Sequence, residues 1–178
     1  MQDAGKRLME QQNWGGARDH LNKALDVASD SVDLLLARAE CHMRIGDNEN
    51  VLADTGKALK VDKKSMVSLT MRGDAYYRMN EFELAQRHFR EGLRLDPEHS
   101  GCKEGYRRIK KMDNVAKAAD GEAAGGKWQD ALESYEKGTT VDPTHDQFVA
   151  KMHLGRCRML HNLKKFQDAI AACSKTAK

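Results

Sequence analysis

The sequence is short of the residues that interrupt helices. Only two of its 178 residues are proline, and aromatic residues make up 6%. Proline breaks helix interiors because it lacks an N–H donor and clashes with the preceding turn. No run of 18 apolar residues occurs, so no membrane span is predicted. The opening MQDAGKRLMEQQNW has no apolar core of the secretory kind, so no signal peptide is predicted.

Several function classes also lack their usual signatures. Four cysteines occur without a C-x-x-C pair, so no metal site is predicted. No phosphate-binding glycine loop is present, and the seven histidines form no recognisable catalytic motif. A net charge of +3 is too small to indicate nucleic-acid binding. We therefore expect a protein that is not an enzyme and that needs no cofactor.

What the sequence does contain is a 34-residue repeat. The segment 66–99 reads MVSLTMRGDAYYRMNEFELAQRHFREGLRLDPEH and resembles a tetratricopeptide repeat, a helix–turn–helix unit. Its characteristic small, large and turn positions 8, 11, 17, 20, 24, 27 and 32 are filled by Gly73, Tyr76, Phe82, Ala85, Phe89, Gly92 and Pro97. Small residues let two antiparallel helices approach closely, and large residues fill the space between neighbouring units.

The same frame fits four further units. The segment 32–65 is a weaker match, because Val51 and Asn48 replace the usual alanine and aromatic residue. The first unit begins within its first helix, and the last, which fits after a slip of four residues, stops within its second. Each hairpin leaves an apolar face that only a neighbour can cover. The predicted fold is an all-α tetratricopeptide-repeat solenoid of about five helix hairpins.

One interval between units is too long. Pro97 and Pro143 are 46 residues apart, which is 12 more than the repeat. Between Ser100 and Ala124 an apolar stripe continues at helical spacing, formed by Cys102, Tyr106, Ile109, Met112 and Ala116. We predict one long helix that is shared by two subdomains. The predicted division is three units in 1–99, an insertion in 100–111 and two units in 112–178.

Basic residues follow the outer side of this predicted helix. They are Arg107, Arg108, Lys110 and Lys111. Nucleic-acid surfaces usually interleave cations with base-stacking aromatic residues, and here only Tyr106 is available. A solvated basic face is the favoured interpretation, and no nucleic-acid partner is predicted.

The first helices of stacked repeats line the concave face of a solenoid, where partners usually bind. Groove positions 5, 9, 12 and 13 of the second and third units are filled by Leu36, Glu40, Met43, Arg44, Thr70, Asp74, Tyr77 and Arg78. This mixture suits an extended or partly unfolded peptide. Many cytosolic repeat proteins of this type grip a chaperone's C-terminal carboxylate with Lys and Asn at positions 5 and 9. Acids at position 9 would repel that carboxylate, so such a clamp is not predicted.

Two cysteines occupy matching positions in the last hairpin. Cys157 at position 8 and Cys173 at position 24 are equally far from the turn, so their side chains should face each other. Spacing alone leaves a disulfide and a buried thiol pair equally open. A disulfide would indicate an oxidising compartment. Cys41 and Cys102 have no evident partner.

The long interval between Pro97 and Pro143 carries a resemblance that is more specific than that of the repeats alone. Its YRRIKKM, followed by GKWQDALESYEK, resembles the central repeat region of the lumenal J-domain (DnaJ-type) co-chaperones of the endoplasmic reticulum, the interferon-induced protein kinase inhibitor type. The pair Cys157 and Cys173 also matches that family's pattern, and the disulfide is predicted on this ground.

The resemblance implies a function and a location. It implies lumenal localisation, binding of misfolded or unfolded clients, and delivery to a lumenal heat-shock ATPase chaperone through a J domain, in support of the unfolded-protein response. The His-Pro-Asp motif of a J domain does not occur in this sequence. The alternative is a cytosolic repeat scaffold that assembles signalling or chaperone complexes.

Overall fold

The computed structural model describes residues 2–176, and their side chains from Gly5 onward. Every regular element within this range is a helix. The helices are α1 (Gln2–Glu10), α2 (Trp14–Leu25), α3 (Val32–Ile45), α4 (Asn48–Val61), α5 (Met66–Arg78), α6 (Phe82–Leu95), α7 (Ser100–Ala124), α8 (Trp128–Gly138), α9 (Asp146–Asn162) and α10 (Phe166–Cys173), followed by a 3₁₀ turn at Ser174–Thr176. Successive helices pair as five hairpins, which confirms the predicted repeat solenoid.

Local capping explains where several helices begin and end. The side chains of Asn13, Asp47, Ser65 and His145 each accept a hydrogen bond from a backbone N–H in the first turn of the following helix. These N–H groups have no partner within the helix, so the caps satisfy them. Helix α3 ends at Gly46, whose φ of 88° is open to glycine at no steric cost.

The chain divides into two compact units, one ending at Tyr106 and the other beginning at Arg107. In the first unit the apolar core passes from Leu21, Leu25, Leu34 and Leu35 to Leu69 and Phe89. Phe89 is fully buried, and its ring fills the space that a Cβ would take at both Gly73 and Gly105. The two glycines therefore let α5 and the start of α7 close on one aromatic ring from α6.

The second unit repeats this arrangement with other residues. The ring of Tyr135 occupies the space beside Gly155, and Met152 occupies the space beside Gly138. The Tyr135 hydroxyl donates a hydrogen bond of 2.6 Å to Asp120. Burial, and then this bond to the carboxylate, raise the pKa of Tyr135. Large side chains from one helix thus fit against glycines of its neighbour in both units.

Charged side chains join hairpins of the first unit. Arg38 on α3 pairs with Asp54 on α4 through two nitrogens, at 2.8 and 2.6 Å, and Arg38 also donates to Asn22 on α2. The Asp54 side chain is only 4% exposed, and the bidentate geometry offsets the cost of burying this charge. Arg72 on α5 donates to the backbone carbonyl of Leu52 on α4 at 2.7 Å. The stacking of these hairpins is therefore fixed by polar contacts as well as by apolar packing.

The predicted long helix is confirmed as α7, which runs unbroken over 25 residues. The boundary between the units falls inside it and within the predicted insertion 100–111. Most of the predicted stripe is buried, with Cys102, Ile109 and Met112 fully covered and Ala116 nearly so. The four basic residues on its outer side are all exposed. The predicted subdomain bounds themselves stay a prediction.

Candidate peptide-binding face

The candidate site lies on α3 and α5 of the first unit and is called here the α3–α5 face. It comprises the eight predicted residues Leu36, Glu40, Met43, Arg44, Thr70, Asp74, Tyr77 and Arg78. Helix α3 contacts α5 directly, so the two sets of four lie on neighbouring helices. Arg78 joins them, because it donates a 2.8 Å hydrogen bond to the backbone carbonyl of Met43.

The apolar members of the face differ in how much surface they expose to a partner. Leu36 and Met43 are partly buried, and Leu36 packs on the core beneath it. Tyr77 is 7% exposed, and its ring lies 5.9 Å from that of Phe82. The Tyr77 ring therefore packs inside its own hairpin and exposes little surface, and its place in the binding face stays a prediction. The accessible apolar surface of the predicted set belongs to Met43 and the edge of Leu36.

The polar members are arranged as local pairs. Arg44 lies 3.8 Å from Glu40, one turn away on α3, and its guanidinium sits 5.3 Å from the centre of the Trp14 ring. Thr70 donates to the Met66 carbonyl and lies 3.3 Å from the Cys102 sulfur. The exposed pair of Arg44 and Glu40 is weak in water, so an incoming partner can replace it at small cost.

Sequence reasoning missed the contacts that hold this face in place. The bonds from Arg78 to the Met43 carbonyl and from Arg72 to the Leu52 carbonyl both end on backbone atoms. No residue type marks a backbone acceptor in the sequence. The only available signal was that α5 carries two arginines, Arg72 and Arg78.

The first unit contains two free thiols, which their burial is expected to make unreactive. Cys41 and Cys102 are free and fully buried. Burial, with a smaller contribution from Glu40, raises the pKa of Cys41 to about 11, and burial also raises the pKa of Cys102. Thiols that stay protonated are poor nucleophiles. Both act as small apolar side chains that pack the core.

The predicted pair Cys157 and Cys173 lies in the last hairpin of the second unit. The structure joins the two as a disulfide between α9 and the end of α10, with a Cα–Cα distance of 5.2 Å. Beside it, a cavity of about 530 Å³ is lined mainly by apolar groups, including the exposed Phe166 and Ile170.

A partly buried histidine, His88, is expected to make the first unit sensitive to pH. The His88 ring stacks on Tyr76 at 5.4 Å. Its Nδ1 is buried, lies 3.8 Å from a Glu91 carboxylate oxygen, and has no hydrogen-bond partner among the described residues. Burial first, and then the positive charge of Arg72, lower the pKa of His88 below 6.5. The unfolded chain therefore binds a proton more readily than the folded unit. The contribution of His88 to the free energy of unfolding is fully present above pH 6.5 and is lost as the pH falls through the folded-state pKa.

We expect a His88→Phe variant, which keeps a ring against Tyr76, to lose this part of the pH dependence. The measurement is the urea midpoint of the first unit between pH 7.5 and 5, followed by Trp14 fluorescence in a Trp128→Phe background. The parent midpoint should fall more steeply with pH than that of the variant. Parallel curves for the two proteins would contradict the assignment to His88.

Neither a metal cluster nor a membrane-spanning helix is found in the part of the chain that the structure describes. Among residues 2–176, no three His, Cys, Asp or Glu side chains lie close enough to hold a metal ion. Within the same range, no helix combines the length and apolar character needed to cross a membrane.

Comparison with known proteins identifies the repeats. Family models of the tetratricopeptide repeat match residues 3–58 and 68–99. The solved tetratricopeptide-repeat domain of P58(IPK) has the same fold, with a TM-score of 0.82 and 24% identity, over 97% of this chain and 48% of that one.

Proteins that are similar in sequence indicate a more specific group than the repeat family. The chain is 34% identical to the DnaJ protein P58IPK homolog A of Oryza sativa subsp. japonica, over 93% of this chain and 35% of that protein. It is 31% identical to the DnaJ protein P58IPK homolog of Arabidopsis thaliana, over 97% of this chain and 36% of that protein. The chain thus spans about a third of the length of these relatives. The chain contains tetratricopeptide repeats and is homologous to the DnaJ proteins of the P58IPK type.

Proposed function

We propose that the chain is the partner-binding repeat segment of a lumenal DnaJ-type co-chaperone, and that its α3–α5 face holds an extended segment of an unfolded client. The supporting observation is that this face combines the apolar Met43 and Leu36 with exposed charges of both signs. Such a mixture contacts both kinds of side chain in an unfolded polypeptide without requiring one sequence. In the whole protein, a J domain would pass the client to a lumenal heat-shock ATPase and so support the unfolded-protein response.

The disulfide supports the lumenal location. Disulfides persist in oxidising compartments and are rare in the cytosol of most cells, and the structure joins Cys157 to Cys173. A cytosolic scaffold would keep these two thiols reduced. Counting thiols in the unreduced, denatured protein separates the two proposals: two free thiols favour the lumenal co-chaperone, and four favour the scaffold.

Client binding is tested with a permanently unfolded probe. Fluorescence anisotropy of a dye-labelled, reduced and alkylated lysozyme gives the affinity of the chain for an unfolded polypeptide. We expect Met43→Ser to weaken binding about five- to tenfold, which corresponds to part of the free energy of burying one apolar side chain. Val61→Ser is the matched control, because Val61 is 58% exposed on α4, outside the α3–α5 face. Equal losses in both variants would show that the face is not the site.

The proposal also concerns how strongly the chain suppresses the aggregation of a client. The apolar groups of the face are buried or partly buried, so the isolated chain should suppress aggregation of a reduced client weakly. The measurement is light scattering of reduced insulin with equimolar chain. Complete suppression at that ratio would indicate a larger client surface than the α3–α5 face.

A further inference from the structure

We propose that the second unit contains a binding site for a small oxyanion of the phosphate class. The site is a cavity of about 310 Å³ between α8, α9 and α10. Three cationic side chains line it: Arg156 from α9, Lys165 at the start of α10, and Lys175 in the closing 3₁₀ turn. Two carboxylates, Glu136 and Asp168, also line it. The lining therefore carries one more positive than negative charge.

The partners of Arg156 leave part of its guanidinium unused. Its Nη2 lies 3.2 Å from Glu136, whose own side chain is 61% exposed and largely hydrated. Its Nε is buried and has no hydrogen-bond partner among the described residues. The guanidinium carries five N–H donors and Arg156 lines the cavity, so an oxyanion there would accept from donors that the bond to Glu136 does not use. Guanidinium groups bind such anions with geometric specificity.

His153 supplies a titratable group on α9 near these cations. It lies one turn before Arg156 on α9, and its Nδ1 is buried without a hydrogen-bond partner in the described part of the chain. Burial first, and then the positive charges of Arg156 and Lys175, lower the pKa of His153. Arg156 and Lys175 come from separate elements and lie close together, because both line the same cavity.

The disulfide explains why the two cations stay close. Arg156 directly precedes Cys157, and Lys175 follows Cys173 by two residues. Because those cysteines are bonded, the turn that carries Lys175 is tied to the part of α9 that carries Arg156. Like charges held together in this way repel each other, and a bound anion would relieve the repulsion.

The test uses His153 as an internal reporter. Its imidazole resonance is assigned with a His153→Gln variant and titrated by ¹H NMR in sodium phosphate and in sodium chloride of equal ionic strength. Bound phosphate offsets the charge of Arg156 and Lys175, so the proton affinity of His153 should rise about fivefold, and reciprocally protonation should tighten phosphate binding by the same factor. Lys175→Gln should abolish the difference between the two salts.

Arg158→Gln is the matched control. Arg158 is also on α9, but it lines the separate cavity beside the disulfide, so its loss removes one positive charge without touching the site. The control variant should keep the phosphate effect on His153. The proposal is overturned if phosphate and chloride give the same titration in the parent, or if both variants lose the effect equally.

Discussion

Replacing Phe89 by alanine should lower the free energy of unfolding of the first unit by about 3–5 kcal/mol. The Phe89 ring is fully buried between Gly73 and Gly105, which have no side chain to fill the space it leaves. The cavity therefore cannot be closed by a rotamer change on either facing helix. Urea unfolding is followed by Trp14 in a Trp128→Phe background, so that the signal comes from the first unit alone.

Two further variants make this prediction specific. Leu84→Ala truncates another apolar residue of α6, but Leu84 is 37% exposed and should cost less than about 1 kcal/mol. Gly105→Ala should destabilise the parent, because the added methyl would overlap the ring of Phe89. In the Phe89→Ala background the same methyl enters empty space and should cost far less. Additive losses for Phe89→Ala and Gly105→Ala would show that the two positions do not contact.

The architecture was predictable because the fold repeats one packing rule. Small residues at Gly73 and Gly92 and large ones at Phe82 and Phe89 recur at fixed spacing, and this spacing reports contacts within and between hairpins. The unbroken α7 followed from the distance between Pro97 and Pro143 together with a continuous apolar stripe. Local signals sufficed because most contacts join helices that are adjacent in the sequence.

The details of the candidate site were less predictable, since they depend on which side of a residue faces a neighbour. Tyr77 occupies a groove position in the repeat frame, yet its ring turns toward Phe82 and is buried. The pairing of Arg38 with Asp54 depends on a separation of 16 residues that only the hairpin geometry brings together. Arg156 and Lys175 likewise meet only through the α9–α10 hairpin, so neither residue was prominent in the sequence.

Removing the disulfide should have the largest effect on the second unit. A Cys157→Ala/Cys173→Ala protein should lose about 3 kcal/mol of free energy of unfolding, because a bond that closes a loop of this length restricts the unfolded chain by roughly that amount. The bond connects residues 16 apart in a hairpin whose last helix, α10, has only eight residues. A helix that short is not stable by itself, so its position depends on packing and on this bond.

The experiment separates the two units by fluorescence. In a Trp14→Phe background, Trp128 on α8 reports the second unit, and the urea midpoint should fall in the double variant. Dithiothreitol should shift the parent to nearly the same midpoint and leave the variant unchanged. The first unit, followed by Trp14, serves as the internal control, because its buried Cys41 and Cys102 are already reduced. If dithiothreitol leaves the second unit of the parent unaffected, the hairpin is held by packing alone, and the argument that the disulfide keeps Arg156 and Lys175 together fails with it.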